Sequence, residues 1–367
     1  MIFQRQILKF ATLFTRECMS ETQTLSPEKT QTGYNELPPF PNGWYAACSS
    51  AQLKKGQIIS RKFCGKEIVL FRTESGVPAA VNAYCPHMGA HFAHGGTVQG
   101  ETIKCPFHDF CFDVKGTCTS TGYGTKPPPK AVLRSWHLQE KNGFILVWFD
   151  SEEKEPHWEV PEVDFTGWTP VITTEWELKS HPQETTENSV DLGHLSIVHG
   201  YNKVEMLTEL QLEEHYLNAK YVMHRKADFF GNSKHLLRAE FHGHAYGLGY
   251  SYVEVSVPEY GLQYRNFVQP TPIDGEKILL RIGLCMKHIE KPGKINPLLS
   301  IIPKPLINKF LPKISFRAYA HDVAQDFKIW ENKVYVTQPA LAKGDGPIGR
   351  YRQWARQFYS ATNFAGN

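Results

Sequence analysis

The chain of 367 residues is 41% hydrophobic and 13% aromatic, which is enough for one large or two ordinary domains with a substantial core. Its formal net charge of +3 is too small to indicate nucleic acid as a partner. No run of 18 or more apolar residues predicts a membrane-spanning helix.

The first 40 residues (1–40) predict a flexible leader, because residues 20–42 are polar and rich in Ser, Thr, Gln and Pro. Several basic residues precede the first acidic one, Glu17. That pattern is typical of a mitochondrial presequence or of a helix lying on a membrane surface. The favoured interpretation is an ordinary polar N-terminus beginning near Met19. It predicts a cytoplasmic protein, with membrane association and mitochondrial targeting as alternatives.

Residues 41–150 predict a small all-β domain. Short segments rich in β-forming residues are separated by turn signals such as Asn142-Gly143, which favours a tight hairpin. The predicted strands are 67–72, 79–84, 111–114, 132–136 and 144–149. Residues 151–170 are acidic and rich in Pro, and they predict a linker between domains.

Residues 171–367 predict a second domain that mixes strands and helices. Residues 250–257 and 277–284 alternate as antiparallel strands do. Residues 318–333 and 347–360 predict helices. The expected fold class is therefore α+β.

Eight cysteines are scattered along the chain. Two belong to the ligand loops described next. The others have no spacing typical of a disulfide framework, so they are predicted to be free thiols. These six are Cys18, Cys48, Cys64, Cys111, Cys118 and Cys285.

Two short loops carry metal-binding residue types. Cys85 and His87 form C-x-H, and Cys105 and His108 form C-x-x-H, with 17 residues between His87 and Cys105. Two Cys and two His can build a tetrahedral zinc site, or a [2Fe–2S] cluster with both Cys on one iron and both His on the other. Pro follows each Cys, and nearby glycines permit tight backbone around inorganic sulfide, which favours the cluster.

A second candidate metal site lies about ninety residues further on. His194 and His199 are five residues apart, which on a regular helix would place them about 140° apart. Binding one ion therefore requires a bend or bulge between them. Two His and a distant carboxylate would form the facial triad of a non-haem Fe(II) oxygenase.

These motifs together resemble the Rieske oxygenases. C-P-H-x-G-A-H followed by C-P-F-H resembles the Rieske domain of ring-hydroxylating and steroid-modifying oxygenases. D-x-x-H-x-x-x-x-H, matched by Asp191, His194 and His199, is similar to the mononuclear iron motif of that family. Two departures are noted. Asp109-Phe110 follows the second loop where steroid enzymes usually have a basic or polar residue and Trp, and the N-terminal membrane span of animal cholesterol 7-desaturases is missing.

The third iron ligand must come from far along the chain. Asp322 and Asp326 are both candidates, and helical phase alone cannot choose, because residues i and i+4 share a face. The segment from Gln325 to Lys333 resembles Q-D-x-x-I-W-x-x-K of steroid-acting Rieske oxygenases, which implies Asp326. The C-terminal residues 346–359 also resemble that branch, which covers bacterial ketosteroid 9α-hydroxylases and animal cholesterol 7-desaturases.

The resemblance implies an N-terminal all-β Rieske domain and a C-terminal catalytic domain with an antiparallel, helix-grip (START-like) sheet. It implies two cofactors, a [2Fe–2S] cluster and a mononuclear Fe(II), each carrying one of the two electrons that dioxygen activation requires. Asp191 matches the family residue that hydrogen-bonds a cluster His across a subunit interface and an iron-bound His within its own subunit. Asp191 and Asn188 are assigned to the catalytic site.

The resemblance also implies partners. The sequence has no plant-type ferredoxin spacing and no G-x-G-x-x-G after a strand, so electrons must come from a separate NAD(P)H-dependent reductase or ferredoxin. A head-to-tail homotrimer is implied by the family. Residues 297–316 are apolar with interspersed lysines, and they predict either a lid that touches a membrane and admits a lipid, or a plain surface helix with loops.

Three functions are compatible with these motifs. The first is a Rieske oxygenase that hydroxylates or desaturates a sterol or steroid. The second is the same machinery acting on an aromatic or chlorophyll-like substrate. The third is a Rieske electron carrier, which needs no second iron site and is therefore disfavoured by His194, His199 and Asp326.

Overall fold

The computed structural model describes residues 37–226 and 236–360. The predicted leader, residues 1–40, lies outside the described residues except for its last four, and Cys18 lies outside them as well. Among the described residues, no helix is both long enough and apolar enough to cross a membrane.

Ten short strands between residues 43 and 149 form three small antiparallel sheets, with orders β1-β10-β9, β2-β3-β4 and β5-β6-β7-β8. Asn142 and Gly143 both have positive φ and turn the chain between β9 and β10, as the sequence predicted. The strands are β1 Gly43–Ser49, β2 Ile58–Phe63, β3 Lys66–Arg72, β4 Pro78–Asn82, β5 Thr97–Gln99, β6 Thr102–Lys104, β7 Cys111–Asp113, β8 Cys118–Ser120, β9 Leu138–Lys141 and β10 Phe144–Phe149.

The rest of the described chain is built on an eight-stranded antiparallel sheet of order β11-β18-β17-β16-β15-β14-β12, with β13 paired to β14. Its central strands direct apolar residues to both faces of the sheet, because other parts of the protein cover both faces. They are β11 Ile172–Lys179, β12 Asn202–Met206, β13 Gln211–Glu213, β14 Tyr216–Lys226, β15 Leu236–Tyr246, β16 Tyr250–Val257, β17 Leu262–Pro272 and β18 Lys277–Met286.

The helices pack on one face of this sheet. Ile278, Leu280 and Ile282 of β18 contact the long helix, and Leu217 and Ala245 contact the C-terminal one. The resulting α+β helix-grip arrangement confirms the predicted fold class. The helices are α1 Pro182–Glu187, α2 Leu192–Ile197, α3 Lys304–Ala324, α4 Phe327–Trp330 and α5 Ile348–Ala355, with 3₁₀ turns at Ser50–Gln52, Pro292–Lys294, Pro297–Ile301 and Arg356–Phe358.

The other face of the sheet packs on β1 and β10. Trp44 and Trp148 share a buried cluster with Tyr250 and Phe267 of the sheet, and Trp158 from the 151–170 segment is buried among them. Residues 151–170 contain no helix or strand. The segment therefore follows the seam between the two β regions and fills part of it.

Three predicted elements differ in the structure. The helix predicted over 318–333 begins earlier, at Lys304, and is interrupted at Gln325 and Asp326 before α4. The helix predicted over 347–360 is α5 followed by a 3₁₀ turn. Residues 132–136 form only isolated bridges, because their hydrogen bonds go alternately to Gly116 and to β4, which prevents a continuous ladder.

The described cysteines other than Cys85 and Cys105 are all free, as predicted, and most are buried. Cys64 and Cys285, for example, are inside apolar clusters. They are packing residues rather than disulfide partners.

Candidate metal centres

The two Cys/His loops lie side by side at one end of the N-terminal β region. The first follows β4 and is closed by hydrogen bonds from Cys85 N to Ala90 O and from Gly89 N to Cys85 O, both 2.9 Å. The second connects β6 to β7 and is closed by the bond from Cys105 N to Phe110 O, 2.9 Å. Gly89 has φ +76°, a conformation that favours glycine.

The four predicted cluster ligands come together between these loops. Cys85 and Cys105 are each 2% exposed, and the rings of His87 and His108 lie 4.8 Å apart. His87 stacks on Phe110 at 4.3 Å. The Nδ1 atom of His108 is buried without a hydrogen-bond partner among the described residues.

This donor set fits a metal cluster. Burial raises the pKa of the Cys85 thiol to about 12, and its hydrogen bond with Cys105 and that residue's charge add to the effect. The Cys85 thiol therefore becomes a thiolate readily only when a cation is bound beside it. The buried Nδ1 atom of His108 likewise lacks a partner, and a bound metal ion would supply one.

The second His pair is positioned by a short helix that ends between its two members. Asp191 begins α2 because its carboxylate accepts a hydrogen bond from His194 N at 3.1 Å. The helix ends at Ile197, and His199 lies beyond it. The two imidazole rings are thereby brought to 5.2 Å, which confirms the predicted bend.

The carboxylate of the triad belongs to Asp326, which lies at the interruption between helices α3 and α4. One donor atom of each of His194, His199 and Asp326 lies within 4.8 Å of the others. The Asp326 Oδ2 and His199 Nε2 atoms are 3.5 Å apart, with both side chains less than one-tenth exposed. Asp322 lies one turn earlier on α3, and its charge also acts to raise the pKa of His199.

Neighbouring groups fix the orientation of this triad. The Nδ1 atom of His194 is 2.6 Å from the carbonyl of Asp191, and Nδ1 of His199 is 3.0 Å from Oε1 of Gln325. The Asn188 amide donates to Oδ2 of Asp326 at 3.2 Å. Both imidazoles therefore present Nε2 toward the centre, as metal-ligating His residues generally do when the other nitrogen is hydrogen-bonded.

The charges in this pocket are mutually dependent. Burial disfavours the protonated form of His199, but the hydrogen bond and charge of Asp326 outweigh it and raise the pKa of His199. Burial acts to raise the pKa of Asp191, but its hydrogen bonds with His194 prevail and lower it. A cation at the centre would replace the shared proton as the partner of the Asp326 carboxylate.

Behind the triad, two buried acids of α1 carry ion pairs. Glu187 pairs with Arg352 of α5 through two bonds of 2.6 and 2.9 Å, and Glu184 pairs with Lys333. Arg352 also lies over the ring of Tyr335 at 4.6 Å. These contacts fix α1, and with it Asn188, against the C-terminal segment. Two acids three residues apart were the one local sign of these ion pairs.

An aromatic wall leads away from the triad along the helix-covered face of the sheet. The ring of His199 lies 6.3 Å from Tyr201, which lies 6.2 Å from Phe241, and Phe241 stacks on Tyr221 at 5.5 Å. The side chains that lead away from the candidate iron on this side are therefore aromatic. None of these aromatic residues was singled out from the sequence.

Comparison with known proteins gives two family matches. Residues 43–135 match the Rieske [2Fe–2S] domain, and residues 147–359 match the 3-ketosteroid 9α-hydroxylase C-terminal domain. The cholesterol 7-desaturase of Bombyx mori is 33% identical over 88% of this chain and 70% of its own length. The chain belongs to the Rieske oxygenases, in the family of the ketosteroid hydroxylases and cholesterol 7-desaturases.

Further relatives of this Rieske oxygenase include the cholesterol 7-desaturase of Drosophila melanogaster, 30% identical over 89% of this chain and 76% of its own. The oxygenase component of the 3-ketosteroid-9-alpha-monooxygenase of Rhodococcus rhodochrous is 28% identical over 87% and 83%. The chain is thus similar to both steroid-named groups. Oxygenase components of this kind take their electrons from a separate reductase or ferredoxin.

Solved structures show the same fold. Dicamba monooxygenase bound to dicamba superposes with a TM-score of 0.61 at 19% identity, covering 87% of this chain and 97% of that one. The NdmA protein of Pseudomonas putida CBB5 with caffeine gives 0.63 at 17%, covering 88% and 93%. At these identities the likeness establishes the fold alone, and it agrees with the predicted two-part α+β architecture.

Proposed function

We propose that this Rieske oxygenase oxidises the ring system of a sterol or steroid, by desaturation or hydroxylation. The names of both groups of relatives support this substrate class. The observation that carries the proposal is the wall of Tyr201, Phe241 and Tyr221 beside His199. An aromatic, apolar lining suits an apolar ring system, because such sites bind mainly by burying apolar area.

We propose the following ligands. Cys85 and Cys105 bind one iron of the [2Fe–2S] cluster, and His87 and His108 bind the other. His194, His199 and Asp326 hold the mononuclear iron, and Asn188 and Asp191 are the supporting catalytic residues. When bound, the two groups supply the electron transfer and dioxygen chemistry of the family.

The side chains around the triad hold its members in productive states. The carbonyl of Asp191 accepts a hydrogen bond from Nδ1 of His194, and the Gln325 amide oxygen accepts one from Nδ1 of His199, so both rings direct Nε2 toward the position of the ion. The Asn188 amide binds one oxygen of Asp326, which restricts the carboxylate to one orientation. The burial of His199 and Asp326 excludes water from this side of the triad.

The Asp191 carboxylate fits a role at a subunit interface. Its side chain is 29% exposed, and its Oδ1 atom accepts the hydrogen bond from His194 N. The carboxylate can therefore be reached from outside the subunit. This supports the proposal that it accepts a hydrogen bond from a cluster His of another subunit.

A head-to-tail homotrimer is proposed on the same grounds. The tip that carries the cluster loops exposes large apolar side chains, with Met88 65%, Phe107 59% and Tyr123 58% exposed, and Ile197 beside the triad is 85% exposed. Contact between the cluster tip of one subunit and the triad region of the next would remove these apolar side chains from water. Sedimentation should give a mass three times the 41.8 kDa of the chain, and Phe107→Glu should reduce it, whereas a monomeric wild type would contradict the trimer.

The functional division of the chain is also proposed. Residues 41–150 would hold the cluster, residues 151–170 would connect the two parts, and residues 171–367 would hold the iron and the substrate. The family matches over 43–135 and 147–359 support this division.

A further proposal concerns the route of a lipid substrate. The segment from Leu298 to Arg317 presents Leu298, Ile301, Leu306, Phe310 and Ile314 to solvent, each 45–81% exposed. Lys304, Lys309, Lys313 and Arg317 are exposed on the same segment, and no acidic residue occurs between Glu290 and Asp322. We call these nine side chains the basic apolar surface and propose that it contacts an anionic lipid bilayer.

The central test is reconstitution. The purified protein, loaded with iron and cluster, is combined with a generic ferredoxin and its NAD(P)H-dependent reductase and offered sterols, ketosteroids and small aromatic compounds. Products are identified by mass spectrometry. Oxidation of a sterol or steroid is expected, and turnover confined to the aromatic compounds would overturn the proposed substrate class.

A further inference from the structure

A second cluster of ligand residues lies on the other face of the large sheet. His242 and His244 lie two residues apart on β15 and therefore share one face of the sheet. Glu254 of β16 is the cross-strand neighbour of His242. One donor atom of each of these three side chains lies within 4.8 Å of the others. The iron triad packs against the helix-covered face through α2, so the two groups are separated by the sheet itself.

One donor atom in this cluster is unsatisfied. The Nδ1 atom of His244 is 2.7 Å from the Tyr216 hydroxyl, and its Nε2 atom is buried without a hydrogen-bond partner among the described residues. The ring is held between neighbours, stacked on Tyr252 at 4.6 Å and 4.0 Å from the ring of His242. A buried polar atom of this kind usually has an unseen partner, such as an ion or a water molecule.

The second imidazole and the carboxylate are also fixed in place. The Asn218 amide nitrogen is 2.5 Å from Nε2 of His242. Rotation of that amide by a half turn would exchange its nitrogen and oxygen atoms. Arg265 binds Oε1 of Glu254 at 2.9 Å, which leaves the second carboxylate oxygen available. Antiparallel pairing thus holds all three donors with little freedom to lose on binding.

The surrounding charges select among cations. Lys220 is the cross-strand neighbour of His242, and Arg265 forms an ion pair with Glu254. With Lys220 and Arg265 nearby the site is not strongly acidic, which disfavours Ca²⁺ and Mg²⁺, since these prefer several oxygen ligands. Imidazole nitrogen instead favours transition metals.

We propose that His242, His244 and Glu254 form a binding site for a divalent transition metal, with zinc as the expected ion. Two His and one Glu are three of the four ligands of a common zinc geometry, and water can complete it. The ion would join β15 to β16 on the face away from the iron triad. Its expected effect is on the stability of the sheet, because a ligand bound only by the folded state raises the melting temperature.

The experiment uses the full chain with cluster and mononuclear iron already loaded. It is titrated with Zn²⁺ and, separately, with Co²⁺, whose visible absorption reports tetrahedral coordination. Metal content is measured by mass spectrometry of the digested protein, and the melting temperature is recorded with and without zinc. His244→Ala removes the unsatisfied donor, Glu254→Gln keeps the shape and removes the charge, and His288→Ala changes an exposed histidine elsewhere.

One zinc per chain beyond the iron is expected in the wild type and in His288→Ala, with a higher melting temperature. Binding should weaken at least tenfold in His244→Ala and in Glu254→Gln, since even groups that only orient a metal ligand cost about that much. The proposal is overturned if the wild type takes up no additional ion. It is equally overturned if both site variants bind zinc as the wild type does, which would indicate adventitious metal only.

Discussion

At the scale of single residues, the candidate iron site depends on which carboxylate reaches the two histidines. Asp326 is 9% exposed and within 3.5 Å of His199, whereas Asp322 lies a turn away on α3. The interruption of the helix at Gln325 and Asp326 makes this difference, because it turns Asp326 inward and also places Gln325 on His199.

Asp326→Ala should therefore abolish product formation and lower the iron content, while the absorption spectrum of the Rieske cluster persists because the cluster loops lie elsewhere in the chain. The facial triad loses its only carboxylate, and two imidazoles alone bind Fe(II) weakly. Asp322→Ala is the matched control and should retain iron. Iron per cluster and product yield are measured in both variants. Loss of iron in Asp322→Ala alone would show that the wrong carboxylate has been assigned.

Asp191 has two separable roles, which two substitutions distinguish. Asp191→Asn keeps an oxygen that can accept from His194 N and begin α2, but it removes the charge. Asp191→Ala removes both, and loss of the cap should cost about 1 kcal/mol of stability. Both variants should bind cluster and iron yet slow electron transfer roughly tenfold to hundredfold, measured by single-turnover rates. A normal rate of electron transfer in Asp191→Asn would show that the carboxylate of Asp191 is not needed for transfer between the cluster and the iron.

At the scale of elements, helix α1 carries Asn188 to the iron site, and its first turn is capped by a buried histidine. The Nδ1 atom of His181 accepts from Gln183 N at 3.1 Å, and its Nε2 atom is 3.1 Å from the carbonyl of Pro38. Nδ1 can accept only when the ring is neutral. Burial lowers the pKa of His181 to about 4.

The sign of the resulting pH effect follows from linkage. The folded pKa of His181 is below its unfolded value of 6.5, so the unfolded chain binds the proton first as the pH falls. The contribution is complete above pH 6.5 and is lost progressively toward pH 4, by about 3 kcal/mol. Chemical unfolding at pH 7, 5.5 and 4.5 should show this slope in the wild type and in the control His288→Asn. A slope undiminished in His181→Asn, which keeps a capping oxygen, would contradict the assignment.

At the scale of the whole molecule, the basic apolar surface sets the expected behaviour toward membranes. Its lysines and Arg317 provide attraction to anionic headgroups, and its exposed apolar side chains provide contact with the acyl region. The inner side of the same helix is committed to the sheet, with Ile307 buried and Tyr319 bonded to the carbonyl of Phe267 at 3.0 Å. The outer side is thus free for a bilayer.

The protein should sediment with vesicles of phosphatidylcholine containing phosphatidylserine, and less with phosphatidylcholine alone. Binding should weaken as salt is raised, because the attraction of Lys and Arg to the lipid surface is screened. Phe310→Glu should weaken binding, whereas Val77→Glu, which changes a residue of similar exposure elsewhere, should not. Equal binding by the Phe310→Glu variant would exclude this surface as the membrane contact.

Features that depend on short spacing could be predicted from the sequence alone. C-x-H and C-x-x-H place ligands within single loops, and D-x-x-H-x-x-x-x-H spans one helix and its end, so Cys85, His87 and His194 could be recognised without a fold. The alternation of β16 and β18 and the turn at Asn142-Gly143 were likewise local, since strand period and turn chemistry are properties of a few neighbouring residues.

Features that depend on contacts between distant segments required the folded structure. Helical phase could not choose between Asp322 and Asp326, because it does not reveal the interruption of the helix at Gln325 and Asp326. The pairing of Glu187 with Arg352, 165 residues apart, has no local signature. Such contacts arise when long loops are closed by sheet formation, and sequence periodicity carries no information about which loops close together.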